Sequence, residues 1–160
     1  NGETFNIVKK NGVASIAFDS NKYQSVTLKY GITSNRTSNL ENASELLRKD
    51  WIENPSNIPN DIREILQEMY PDESVEDILE KLTNKKLKQI ISKSSWVLHE
   101  SIDLETVILV PRIFHDKVNG YNGISHMGGV SLAKYVKQHM GSIYFERFIS
   151  AAASGFVIGN

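Results

Sequence analysis

The chain has 160 residues, no cysteine, and 18 basic against 19 acidic side chains, for a formal net charge of −1. That length suits one domain, or one with a small appendage, and allows a core to form without covalent staples. Zero cysteine excludes disulfides, thiolate zinc sites and cysteine nucleophiles, so any metal has to be held by His, Asp, Glu or Asn, and the balanced charge gives no global basic footprint of the kind that marks nucleic-acid binders.

Residues 5–9 (FNIVK), 13–18 (VASIAF) and 25–30 (SVTLKY) are rich in β-branched and aromatic side chains. Asn11-Gly12 between the first two is a strong hairpin signal, because both residues tolerate positive φ. The expectation is a three-stranded N-terminal meander ending at Gly31. From Thr33 to Asn42 the composition turns to Ser, Thr and Asn, which reads as a loop or linker. Ser44 to Trp51 reads as helix, broken by Pro55 and Pro59. Three short helices follow. Asn60 caps one from Asp61 to Met69, which Pro71 stops. Ser74, with Asp77 three positions on, opens another to about Leu82 in the manner of a capping box. The third runs from about Asn84 to Lys93, with Leu87, Ile90 and Ile91 on one face and a run of lysines, read as a solvated surface, on the rest.

Trp96 to His99 and Val107 to Val110 read as two short apolar strands joined by a turn, and Pro111 ends the second. Three of the four histidines, His99, His115 and His126, fall between Trp96 and Gly129, and a helix is expected from about Val130. A β-hairpin followed by a helix, with His99-Glu100 at the end of the first strand and two histidines ahead of the helix, is the plan of a ββα metal finger. Ser131 to His139 has helical spacing and stops at Gly141, and Ile143 to Ala153 reads as a last helix with Tyr144, Phe145 and Phe148 towards the core. The apolar run from Phe148 to Ile158 is too short for the roughly 20 residues of a membrane span. No signal peptide is visible, and a start at Asn1 without Met reads as a processed C-terminal piece of something longer.

The order Trp96, His99-Glu100, Asp103, Leu109-Val110-Pro111, His115 and His126-Met127-Gly128-Gly129 resembles the HNH/endonuclease VII superfamily, the His-Me finger nucleases, and in particular bacterial polymorphic-toxin domains of the Trp-His-His type. The resemblance covers about residues 94–140. It departs from the family pattern where Trp96 lies three residues before His99, where Glu100 replaces a second His, and where the gap from His115 to His126 is longer.

The resemblance implies a ββα-metal finger core. With the elements read above, the expectation is an α+β fold with several short surrounding helices, in which the N-terminal β-meander over 1–31 is part of the catalytic domain or a docking or linker piece, and 32–160 is a helical plus ββα-metal nuclease domain. The resemblance also implies a metal-dependent endonuclease, acting on DNA rather than RNA, that is the toxic module of a secreted or contact-delivered bacterial effector. Such a module would work as a monomer in the target-cell cytoplasm, with a cognate immunity protein and one divalent ion (Mg, Mn or Zn). Position by position, His99 takes the metal side and Glu100 the general base.

Proton chemistry assigns the base the other way, since an unperturbed His near 6.5 is a better proton acceptor at neutral pH than a Glu near 4.3. His99 is then the base, with Glu100 sharing the role or binding metal. His126 and His99 are the metal candidates, and His115 is a third ligand or an orienting residue. Arg112 is a candidate phosphate contact, with Lys134 and Arg147 as further cations, and His139 is a surface residue. Successive strand residues point to opposite faces, so His99 and Glu100 enter one site only if the strand ends or bulges there. Two other readings stay open: a metal-independent RNase using His and Glu, and a non-catalytic adaptor or immunity-like module whose acidic stretch from Pro71 to Lys81 meets a basic partner.

Overall fold

A computed structural model describes residues 6–10, 13–101 and 103–115, with side-chain surroundings from Phe18 to Ile113 apart from position 102. The described part is a mixed α+β fold. Strands β1 (Asn6–Lys10) and β2 (Val13–Ala17) pair antiparallel with Lys10 opposite Val13, as expected of a hairpin whose Asn-Gly turn lies outside the described residues. The third expected strand shrinks to β3 (Ser25–Thr27) and leaves the meander. It pairs instead with β5 (Thr106–Pro111), whose other neighbour is β4 (Trp96–Glu100), giving an antiparallel sheet in the order β3-β5-β4.

That central position explains the composition of β5. With a neighbour on both edges and side chains packed on both faces, Val107, Ile108, Leu109 and Val110 are all buried, so the strand reads as a continuous apolar run instead of an alternation. The other half of the fold is helical: α1 (Arg36–Glu53), a 3-10 turn at Pro55–Asn57, α2 (Asn60–Met69), α3 (Val75–Lys81) and α4 (Asn84–Lys93). A helical turn, α5 (Arg112–His115), follows β5 directly.

The expected loop over 33–42 is largely helix. Asn35 caps α1 by accepting the Ser38 N–H at 3.1 Å, and Asn39, Ala43, Leu47 and Trp51 recur every four residues as its buried stripe. The polar first half of that stripe hid it, because Ser, Thr and Asn favour turns when nothing else satisfies them. The later helices begin within a residue of the expected positions. Ser74 accepts from the Asp77 N–H and Thr83 from the Lys86 N–H, both at 3.1 Å, while α2 starts one residue early behind Pro59 without a side-chain cap bond.

One face of the sheet, carrying Leu98, Val107 and Leu109, joins Leu47, Trp51, Ile62, Leu66, Leu79 and Leu87 of the helices in the main core. The opposite face carries Ile108 and Val110, covered by Phe18 with Tyr23 and Val97 beside it. Trp51 is fully buried, yet its indole N–H donates to the Gln24 side chain at 2.8 Å, tying α1 to the chain just ahead of β3. Among the described residues no helix is long and apolar enough to cross a membrane.

On α4, Leu87, Ile90 and Ile91 are buried, Lys85 and Lys93 are exposed, and Lys88 pairs with Glu41 of α1 at 3.6 Å. Leu87→Ala is expected to lower stability by about 2–5 kcal/mol in urea unfolding, and Lys85→Ala to change it by less than about 0.5 kcal/mol.

Candidate functional site

The dipeptide His99-Glu100 sits at the end of β4, where the ladder with β5 is unbroken. His99 lies opposite Ile108 and Glu100 opposite Val107, and the Ser101 N–H continues the pattern to the Thr106 carbonyl at 2.9 Å. Without a bulge, strand alternation sends the two side chains to opposite faces of the sheet. β4 ends at Glu100, but its pairing holds through that residue and keeps the two side chains apart.

His99 is 1% exposed and lies on the minor face. Its ring meets that of Phe18 edge to face, with centroids 4.8 Å apart and planes at 70°. Glu100, 4% exposed, turns towards the first turns of α1. Its Oε2 accepts from Asn39 Nδ2 at 2.9 Å, and Oε1 lies 3.6 Å from the Arg36 guanidinium. Asn39 is fixed in turn by Thr33: its Oδ1 accepts from the Thr33 N–H at 3.0 Å and hydroxyl at 2.9 Å, and its Nδ2 donates to the Thr33 carbonyl at 2.8 Å. Charge-assisted bonds of this kind compensate a carboxylate taken out of water, and an anion beside the start of a helix is well placed with respect to its dipole.

The other motif positions are built into the frame. Trp96 donates its indole N–H to Asp61 Oδ1 at 3.1 Å, while Asp61 Oδ2 accepts from both the Ser95 N–H and hydroxyl at 2.7 Å. Arg112 donates from Nη2 to the Ser92 carbonyl at 3.1 Å and the Trp96 carbonyl at 2.9 Å, and from Nε to the Ser94 carbonyl at 3.3 Å. It thereby meets carbonyls at the end of α4, where a cation is favoured. Asp103 Oδ1 accepts from the N–H groups of Glu105 and Thr106 at 2.9 and 2.8 Å. Those bonds stabilise a turn that holds Leu104 at φ 62°, left-handed for a residue with a Cβ. The fully buried Leu104 side chain and the Ile32 N–H bonded to the Leu104 carbonyl at 2.7 Å keep it there.

His115 ends α5, a turn that packs on both β4 and β5. Its side chain, and all of His126, Gly128, Gly129, Lys134, His139, Tyr144, Phe145, Arg147, Phe148 and the helix expected from Val130, lie outside the described residues. Among the described residues no group of three or more His, Asp or Glu side chains could hold an ion. No protein-family model, curated protein or solved structure matches the chain.

Residues that the sequence reading passed over include Phe18, Arg36, Asn39 and Asp61. Only Asn39 had a usable signal, its place in the four-residue stripe of α1. Asp61 shows what its bonds achieve: desolvation pushes its pKa up, but hydrogen bonds from the Ser95 hydroxyl and N–H, the Ile62 N–H and the Trp96 indole outweigh it, and the carboxyl lies below its ordinary value of 3.8. A lowered folded pKa adds stability that is complete above the ordinary value and is lost as pH falls through the folded one. Asp61→Asn is therefore expected to cost about 1–2 kcal/mol at neutral pH, with a shallower loss of stability than wild type between about pH 5 and about pH 2, measured by chemical unfolding across that range.

Proposed function

We propose that this chain is a nuclease domain that hydrolyses phosphodiester bonds, DNA in preference to RNA, with His99 as general base and Glu100 as a structural carboxylate. The observation that carries the reading is an antiparallel β4–β5 pair that ends its first strand on His99-Glu100 and runs directly into a helical turn ending at His115, in the motif order of the His-Me finger nucleases. Glu100 is already committed to Asn39 and Arg36 on the other face, which supports the assignment made by proton chemistry over the one made by family position.

In the proposed step the oxygen of a water forms a bond to phosphorus as the P–O bond to the leaving oxygen breaks. His99 takes the proton of that water, and the leaving oxygen is protonated from solvent. The divalent ion implied by the resemblance has no donor set among the described residues. Because His99 is 1% exposed, a path for water has to open beside its ring when substrate binds. The wider setting proposed, on the resemblance alone, is a toxin module delivered into a target cell and restrained by an immunity protein.

The same burial favours a second reading, a non-catalytic interaction module in which His99 is a packing residue. A plasmid assay separates the two. With supercoiled DNA and Mg²⁺, Mn²⁺ or Zn²⁺, wild type is expected to nick and chelator to stop it. His99→Ala is expected to lose roughly a hundredfold or more in rate, the scale of a general base. Glu100→Gln is expected to lose stability while the folded fraction keeps its rate within about threefold, because the amide keeps the shape but not the charge opposite Arg36. Full activity in His99→Ala overturns the assignment, chelator-resistant cleavage of RNA points to the RNase, and no cleavage of either points to the interaction module.

A further inference from the structure

We infer that Phe18 is a positioning residue for His99, through which the N-terminal segment becomes part of the site. The catalytic consequence rests on the nuclease reading above; the contact itself does not. Phe18 follows β2 directly, is 5% exposed, and sets its ring edge to face with the His99 imidazole at 4.8 Å and 70°. The phenyl ring is itself held. The N–H groups of Lys22 and Tyr23 both bond to the Asp19 carbonyl, at 3.1 and 3.0 Å, and the Asn21 N–H bonds to Asp19 Oδ1 at 2.8 Å. This turn brings Tyr23 back onto Phe18 with ring centroids 6.3 Å apart and planes at 78°.

The physical reason is the torsion of the imidazole. The χ2 angle of a histidine is broad and roughly two-fold, so the backbone of β4 fixes where the ring begins but not which way its plane faces. On this face packing neighbours bear on the plane. Ile108 stands opposite on β5, and the Phe18 ring packs against the imidazole in the tilted arrangement that aromatic quadrupoles prefer. A base whose nitrogen is turned away from the attacking water loses rate, and a loss confined to kcat marks a group that acts in the transition state and not in holding substrate.

The test uses the full 160-residue chain. Three variants are compared with wild type: Phe18→Leu, which keeps apolar bulk without the ring, Phe18→Tyr, which restores the ring, and Val110→Ala, which loosens the same cluster on the far edge. Two quantities are read: the imidazole carbon-bound proton signals of His99, assigned by their loss in His99→Gln, and kcat and KM for plasmid nicking under conditions where every variant is folded. Phe18→Leu is expected to shift the His99 signals and lower kcat roughly 10- to 100-fold with KM within about twofold, Phe18→Tyr to restore both, and Val110→Ala to leave both near wild type. Unmoved His99 signals in Phe18→Leu overturn the positioning role, as does a kcat loss in Val110→Ala that matches it. A wild-type chain that nicks no plasmid overturns the nuclease reading and the catalytic consequence, while the His99 signals still decide whether Phe18 orients the ring.

Discussion

The register of β5 between β3 and β4 is the constraint on which the rest of the described structure depends. Once Val107 stands opposite Glu100 and Ile108 opposite His99, period-two alternation leaves no freedom over which residue meets the helices and which meets Phe18. A slip of one residue would place His99 among the helical core side chains and turn Glu100 towards the phenyl ring. Both partners would then be wrong, because the imidazole would replace the carboxylate that Asn39 and Arg36 address.

What holds that register in place is a set of polar bridges between the sheet and the helices. Asp61 on α2 collects Ser95 and Trp96 at the start of β4, Arg112 ties the far end of β5 to the carbonyls at the end of α4, and Glu100 meets α1 through Asn39. A buried polar group without a partner is costly, so each bridge works as a selector: only the native pairing satisfies all of its members together. The apolar core supplies the bulk of the stabilisation but is tolerant of small shifts in a way these groups are not. Trp96, Asp103 and Arg112, three positions drawn from the sequence motif, have roles in the frame that are visible in their bonds.

Much of the helical half was legible in the chain itself, for local reasons. The helices at 60–69, 75–81 and 84–93 announce themselves through the breaks at Pro59 and Pro71, the cap at Ser74 and apolar spacing of period 3.6. The strands at 96–100 and 106–111 were equally plain from β-branched content and the intervening turn. The first turns of α1 were not, since the buried amide of Asn39 is satisfied by Thr33 and by Glu100, far along the chain, and neither bond can be read from helical spacing.

By its own residues the sequence determined the absence of sulfur chemistry, the α+β character, the Ser74 cap and the placing of His99 near a strand end. Tertiary structure decided that β3 leaves the expected meander to complete the other sheet, that Glu100 belongs to α1, and that His99 lies under Phe18. The division has one physical cause. Caps, turns and periodicity act within a few residues and are written locally, whereas strand order and the partner of a buried polar group depend on which distant segments meet, and a hydrogen bond or an aromatic edge leaves no mark on the sequence around it.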